Sequence, residues 1–443
     1  MTFDSNDLLD RLRILTTGDA PPARWIVAYS GGLDSTVLLH ALAKSTTSSE
    51  ILAVHIDHGL HADAGQWQQH CRTFAGNLGI AYETTTVAVA LKPENGLEAD
   101  ARRARYDAFA GIVRSGDCLL SAHHEDDQAE TLLLNLMRGS GPAGLAGIGL
   151  QQSFSRGRLL RPLLGVSREA IEAYAKRHKL EWIDDPSNED SRFDRNFLRN
   201  EVMPKLVSRW PAVSNRLRRS AELVGESSEL LNDLADIDLA VLGTRQRLSV
   251  SRLQALSPAR QRNVLRRAVR LCGLPPLPST RAYQIISEML PARADAQPLV
   301  TWDGACVRRY RDNLFVMASP SPCVNDPEAL LRPGDAAFNL GGGLGSLQLC
   351  AGNNKGIDPE LAAKGLAIRF RDGGETIRIA DQGPTKKLKK LLQEEGIVPW
   401  MRGAIPLLFA EQKLVAVGDI WVDADSLVSS GLQVIWADSP ALR

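Results

Sequence analysis

The chain is 443 residues long, which at about 100–200 residues per domain predicts two to four domains. Apolar residues make up 44% and charged residues 23%, the balance of a soluble globular protein, and 52 Lys+Arg against 52 Asp+Glu leave no net charge, so a polyanion must be met by locally concentrated cations. No apolar run nears the roughly 20 residues of a membrane span, the start Met1–Ser5 is acidic rather than basic-then-apolar, and Cys71, Cys118, Cys272, Cys306, Cys323 and Cys350 form no CxxC pair, so membrane, secreted, zinc-ribbon and dithiol-redox classes are not indicated and a cytoplasmic location is expected.

In chain order, the apolar run Trp25–Tyr29 predicts a strand, and Val37, Leu38, Leu39 and Leu42 a following helix. Ile51–Ile56 reads as a second strand, Trp67–Leu78 as a helix and Thr84–Val89 as a β-branched strand. Residues 98–114 read as helix, Asp117–Ser121 as strand and 125–138 as helix. Strands alternating with helices predict βαβ units: an α/β fold with a parallel, Rossmann-like sheet covered on both faces, its ligand at the carboxyl ends of the strands. The Gly-rich stretch Gly139–Gly149 ends this block, and residues 159–200 add a further strand and helix. From Trp210 to Leu290 the pattern is mostly helical, punctuated by Pro275, Pro276 and Pro278. Residues 318–345, rich in Pro, Gly, Asp and Asn, read as a linker, and after Leu347 short β-branched runs predict a small β-rich domain. The expected division is a catalytic α/β domain at 1–212, a mostly helical domain at 213–335 and a β-rich C-terminal domain at 336–443.

Four segments carry chemistry. The first is Ser30-Gly31-Gly32-Leu33-Asp34-Ser35, a tight turn between the first strand and its helix. Two glycines allow close backbone approach to a ligand, and the turn amides with the positive helix end make an anion site. Ser30, Ser35 and Thr36 add hydroxyls. Asp34 would repel a phosphate unless a shared Mg²⁺ reconciled the two. No GxxxxGK[ST] segment exists, so this is not a Walker loop. A capped structural turn is the bland alternative. The full Ser-Gly-Gly-x-Asp-Ser pattern resembles the PP-loop of the N-type ATP pyrophosphatases, which cleave ATP between the α and β phosphates.

The second segment, His55-Ile56-Asp57-His58-Gly59-Leu60-His61, sits at a strand end, where His55, Asp57 and His58 are expected to line a nucleotide pocket rather than ligate a metal. The third is the helix carrying Arg102, Arg105 and Tyr106, a phosphate- or polynucleotide-gripping face or else a solvated one. The fourth, Ser121-Ala122-His123-His124-Glu125-Asp126-Asp127-Gln128-Ala129-Glu130, has too many acids and histidines for a helix cap alone; it suits metal binding and proton transfer. Asp185–Arg199 reads as a polar, self-bonded loop entering a helix.

Taken in order, SGGLDS, HIDHGLH, ARRARYDAF, AHHEDDQAETLLLNLMRGSGPAGLAGI, RPLL and DPSNEDSRFDRNFLR resemble the bacterial tRNA(Ile)-lysidine synthetase family. The segment from Lys386 and the run Trp400–Pro406 are similar to that family's last domain. The resemblance implies ATP, with Mg²⁺ at Asp34, adenylation of C2 of the wobble cytidine of a CAU-anticodon tRNA(Ile), and displacement of AMP by free L-lysine. It implies ATP held by Ser30 to Ser35, catalysis by Asp34, Asp127, Glu130 and either His123 or His124, and substrate gripped by Arg102, Arg105, Tyr106 and Asp126. It leaves a homodimer open. Four basic clusters are expected to meet tRNA: Arg216/Arg218/Arg219, Arg262/Arg266/Arg267/Arg270, Arg308/Arg309/Arg311 and Lys386/Lys387/Lys389/Lys390. A tRNA thiolase would need sulfur-carrying cysteines in the site motifs, and a glutamine-dependent synthetase a second, glutaminase domain; neither is apparent. A non-catalytic RNA binder on a decayed ATPase fold is opposed by the intact Asp34, Asp127 and Glu130.

Overall fold

The computed structural model describes residues 3–45, 49–59, 63–87, 97–293, 296–319, 329–352, 354–380 and 383–440. Its contacts divide the chain into two compact units, Met1–Leu231 and Asn232–Arg443.

The first unit is built on a six-stranded sheet: β1 (Arg24–Ala28), β2 (Glu50–Asp57), β3 (Ala81–Thr86), β4 (Cys118–Leu120), β5 (Gln151–Phe154) and β6 (Gly157–Leu160), in the order β3-β2-β1-β4-β6-β5. All pairings are parallel except β5 with β6. Around it lie helices α1 (Ser5–Leu15), α2 (Leu33–Lys44), α3 (Ala64–Asn77), α4 (Leu97–Ile112), α5 (Glu125–Met137), α6 (Pro142–Leu145) and α7 (Arg168–Arg177). Alternation along the strands splits the core between two faces. Trp25, Val27, Cys118, Leu120 and Leu160 pack with Val37, Leu38 and Tyr174 of α2 and α7. Ile26, Leu52, Val54, Leu119 and Leu159 pack with Phe109 of α4. The strand order reverses direction at β1, between β2 and β4, so a crevice opens at the carboxyl ends of β1 and β4, the usual ligand position in an open α/β sheet. The third strand begins three residues earlier than its sequence pattern and ends at Thr86; residues 88 and 89 lie outside the described set. A helical run follows, α8 (Asp194–Phe197), a π-turn at Leu198–Val202 and α9 (Met203–Arg209), and then α10 (Val213–Leu242), inside which the two units divide.

The helices expected over Trp210–Leu290 form, and strands that the sequence reading did not mark lie among and after them in the stretch following α10. It holds an antiparallel sheet of β7 (Gly243–Thr244), β8 (Arg247–Ser249), β9 (Leu299–Trp302), β10 (Ala305–Tyr310) and β11 (Asn313–Ala318), in the order β7-β8-β11-β10-β9. Helices α11 (Val250–Gln254), α12 (Pro258–Leu271) and α13 (Ser279–Gln284) cover one face. The strands are hidden in the sequence because β10, Ala-Cys-Val-Arg-Arg-Tyr, looks like a charged helix face while Ala305, Cys306, Val307 and Arg309 are all buried. The β-rich end matches expectation: two five-stranded sheets share one apolar core around Leu347, Leu366, Leu388, Val415 and Trp436. Among the described residues no helix is long and apolar enough to cross a membrane.

Candidate active site

The loop Ser30–Ser35 leaves β1 at the reversal point. Gly31 has φ +85°, and a Cβ there would sit 2.7 Å from both Cys71 Sγ and Ile183 Cδ1. Backbone conformation and space therefore both demand glycine. Its carbonyl accepts from the Ile183 amide at 2.9 Å and from Thr36 Oγ1 at 3.2 Å, which fixes the turn. The Ser30 and Ser35 hydroxyls lie 3.1 Å apart, and Ser35 Oγ donates to the Gly32 carbonyl at 3.0 Å. These hydroxyls thus brace the loop from within. Leu33 is a core residue.

A cavity of about 500 Å³ opens over this loop. Ser30, Gly32, Asp34 and Ser35 line its floor, with His55, Asp57 and His58 from the end of β2. Arg105 and Tyr106 of α4 and His123 and Asp127 from the end of β4 close it. Arg102 lies over the Tyr106 ring, 5.0 Å from its centroid. His55 bonds the Tyr29 carbonyl through Nδ1 at 3.0 Å, and burial lowers the pKa of both His55 and His58. Imidazoles kept neutral by burial can hydrogen-bond a base or ribose. Asp57 accepts the Gly59 amide at 2.8 Å. Among the described residues no group of three or more His, Cys, Asp or Glu is placed to hold a metal; Leu60 and His61 lie outside them.

The two histidines of the fourth motif differ in what they can do. His124 is the N-cap of α5, and its Nδ1 accepts the Asp126 amide at 3.3 Å. That puts a ring proton on Nε2, which faces Asp34 at 3.7 Å and Asp127 at 3.5 Å. A ring with both nitrogens committed in this way is no free base. His123 uses only Nδ1, 2.9 Å from Ser121 Oγ, and burial pushes its pKa down to about 3.

Asp34 is desolvated, which raises its carboxyl pKa against the opposing pull of His124 and Arg168. Arg168 Nη1 donates to it at 2.8 Å while its Nε holds Glu172 at 3.0 Å. Asp127 and Glu130 are three apart on α5 and face two arginines four apart on the helical run of α8. Glu130, 1% exposed, accepts from Arg195 Nε at 2.8 Å, Arg199 Nε at 2.7 Å and Arg199 Nη2 at 2.9 Å. Asp127 Oδ1 accepts from Arg195 Nη2 at 2.8 Å and Arg199 Nη2 at 3.2 Å, and its Oδ2 from the His124 amide at 2.9 Å. Burial alone would raise the Asp127 carboxyl; His124, Arg195, His123 and the amide outweigh it and hold it below the ordinary range. Asp126 is half-buried at the rim of this network.

Sequence reading therefore located the acids and missed their partners. Asp185–Arg199, taken as self-bonded, delivers Arg195 and Arg199 across 65 to 72 residues of chain. The available signal was spacing: Arg at i and i+4 in a helical run, matched to acids at i and i+3.

Comparison with known proteins decides the family. A PP-loop domain model matches residues 8–206, a TilS substrate binding domain model 248–315 and a TilS substrate C-terminal domain model 366–436. The tRNA(Ile)-lysidine synthase of Alkalilimnicola ehrlichii is 44% identical over 405 residues, 90% of each chain. The chain belongs to the tRNA(Ile)-lysidine synthase family. The synthase of Xanthomonas campestris is 42% identical over 91% of this chain and 92% of its own, and that of Coxiella burnetii 37% over 94% and 92%. As a member of the lysidine synthase family the chain is a PP-loop, ATP-using ligase, and the cavity over Ser30–Ser35 lies within the matched PP-loop domain.

Proposed function

We propose that this chain makes lysidine at the wobble cytidine, position 34, of tRNA(Ile) with a CAU anticodon. The C2 carbonyl oxygen of the cytosine attacks the α-phosphorus of ATP and diphosphate leaves. The ε-amine of free L-lysine then attacks C2, the C2–O bond breaks, AMP departs with the oxygen, and the nitrogen loses a proton. Decoding changes from AUG to AUA. The observation that carries this is the meeting, at one cavity, of a phosphate turn, a neutral His123 and an acid–arginine network.

The turn amides of Ser30–Ser35 receive the triphosphate. Mg²⁺ fits the residues present: this ion is held by one or two carboxylates and phosphate oxygens rather than by an all-protein cage, and Asp34 is 30% exposed beside the turn. Bound there, Mg²⁺ would supply positive charge toward the leaving diphosphate. The oxygens of Asp127 and Glu130 are already taken by guanidinium and amide donors, so their part is to present Arg195 and Arg199 to the charge that develops on the α-phosphate and on AMP. Asp126 remains the carboxylate for the lysine ammonium. His123, with one nitrogen uncommitted, contacts the cytosine or the incoming amine. Arg102 and Arg105, with Tyr106, grip the anticodon. The reaction belongs in the cytoplasm, and residues 213–335 and 336–443 hold the tRNA body.

The test is incubation with ATP, Mg²⁺, labelled lysine and a CAU-anticodon tRNA(Ile) transcript. Label should enter RNA with one AMP per lysine, and Asp34→Ala should abolish this while tRNA affinity stays nearly unchanged. Lysine-independent AMP release without incorporation would overturn the reading.

A further inference from the structure

The four basic clusters of the sequence are not equivalent once folded. Arg218 reaches Glu222 and lies 3.6 Å from Glu125. Arg267 holds Asp236 through Nε at 2.7 Å. Lys386 and Lys390 share Glu394 at 3.5 and 3.8 Å. In each of these at least one cation is engaged by a neighbouring carboxylate.

The third cluster is sorted by strand alternation. On β10, Arg309 points to the helical face, is 8% exposed, and puts Nη1 within 2.9, 2.6 and 2.6 Å of the carbonyls of Met289, Leu290 and Ala292. Arg308 and Tyr310, two residues apart, point to the other face. Arg308 Cζ lies 5.2 Å from the Trp400 ring centroid. Arg311 Cζ lies 5.1 Å and Arg402 Cζ 5.9 Å from the Tyr310 centroid, and Arg402 Nη2 donates to the Tyr310 hydroxyl at 3.1 Å. The two rings meet edge to face at 6.4 Å and 85°. Among the described residues none of Arg308, Arg311 and Arg402 makes an ion pair with a carboxylate. The adjacent Asp312 is turned away, bonded to Ser249 Oγ at 2.8 Å and to the Ser251 amide at 2.9 Å. Trp400 Nε1 and Arg308 Nε lack acceptors, so the Tyr310 hydroxyl is the one acceptor among the cluster's side-chain groups.

Three cations without acids, their guanidinium planes supported by aromatic faces, form a site of surplus positive charge and surplus donors. Arginine offers a planar fork matched to phosphate oxygens, and a ring beneath it limits its freedom before binding. We propose that Arg308, Arg311 and Arg402, laid on Trp400 and Tyr310, form a phosphate cradle for the backbone of the RNA substrate. This rests on the reading of the chain as a tRNA-modifying enzyme and assigns part of the RNA contact to named residues.

The test is the salt dependence of binding of the full-length protein to a CAU-anticodon tRNA(Ile) transcript, followed by fluorescence anisotropy. Each neutralised phosphate contributes about 0.7–0.9 to the slope of log K against log salt. Arg311→Gln, on an exposed turn, should lower the slope by about one and weaken binding about five- to eightfold at 0.1 M salt. Arg308→Gln/Arg311→Gln/Arg402→Gln together should lower it by two to three, equally for a tRNA of another anticodon, and Arg402→Lys should retain most of its share. The slope does not depend on the active fraction, so partial unfolding does not imitate the effect. An unchanged slope in the triple variant, or an equal loss in Arg267→Gln, overturns the cradle. Lysine incorporation by the unaltered protein is measured alongside: incorporation with an unchanged slope sinks the cradle alone, whereas no incorporation with a lowered slope sinks the lysidine reading alone.

Discussion

Glu130→Gln is the most informative single change in the first unit. It keeps the shape of a side chain that is 1% exposed and removes one of two negative charges facing Arg195 and Arg199. Two guanidiniums would then share Asp127 alone, and three hydrogen bonds to a charged oxygen would become at most bonds to a neutral amide. Removing one partner of a buried ion pair costs about 3–5 kcal/mol, because the remaining charge stays desolvated. For a unit of this size about 2–4 °C is lost per kcal/mol, so the melting temperature should fall by roughly 6–20 °C. The transition of the first unit is the one that ATP raises in calorimetry, since a ligand stabilises the state that binds it. Asp10→Asn, which breaks the exposed pair with Arg13, is the comparison and should cost under about 1 kcal/mol. The double variant Glu130→Gln/Arg195→Met should lose less than the sum of its parts, because it removes the stranded cation as well. A fall under about 2 °C for Glu130→Gln would refute the claim that this network holds the unit together.

Gly31→Ala should weaken ATP binding more than tenfold: a non-glycine residue at φ +85° is strained by about 1–2 kcal/mol, and the new methyl must displace Cys71 or Ile183; unchanged affinity by calorimetric titration would show the loop is more pliant than drawn. Asp34 has a carboxyl whose pKa is raised mainly by burial, so folding disfavours its ionised form and stability drops as pH rises through that value; Asp34→Asn should be at least as stable as the unaltered protein at pH 7 while inactive, and a lower melting temperature would contradict this. Asp127 has the opposite sign: its folded pKa lies below the ordinary 3.8, so its contribution is present above that pH and lost as pH falls toward the folded value. The ATP-sensitive transition should therefore weaken between pH 5 and 3, and Asp127→Asn should flatten that decline. Arg309→Met should destabilise the second unit by about 2–3 kcal/mol, because buried carbonyls of Met289, Leu290 and Ala292 lose a charged donor, yet leave the salt slope of tRNA binding as it was.

What was legible in the sequence was local. The inner parallel strands β1, β2 and β4 announce themselves as short apolar runs because both faces are covered, and the phosphate turn lies in six consecutive residues, so the centre of the α/β unit and the floor of its cavity could be read directly. Long-range pairing was not legible. The spacing of Arg195 and Arg199 fits a pair of acids on a facing helix, but it does not single out Asp127 and Glu130 over the nearer Asp190 and Asp194. Arg168, likewise, sits in an ordinary amphipathic helix until the fold brings α7 beside the start of α2. β10 was hidden for a different reason. Its buried arginine breaks the apolar alternation that marks a strand, and the compensation is supplied by carbonyls at a helix end about 20 residues earlier.

A net charge of zero therefore says little about what this chain binds, because charges count only after the fold has spent them. Arg195 and Arg199 are consumed by Asp127 and Glu130, Arg267 by Asp236, Arg260 by Asp238 and Arg24 by Asp117. Such pairs remove equal numbers of both signs and hold the units together. What is left over sets the long-range field, and its cationic part includes Arg308, Arg311 and Arg402 beside two aromatic rings. The surplus has the sign an RNA backbone requires, and it belongs to the second unit, whereas the cavity over Ser30–Ser35 belongs to the first. The two meet opposite electrostatic demands. The catalytic cavity needs charges fixed and neutralised in advance, so that little reorganises when the phosphate reacts. A docking surface needs charges left unneutralised, so that binding the backbone releases its counterions.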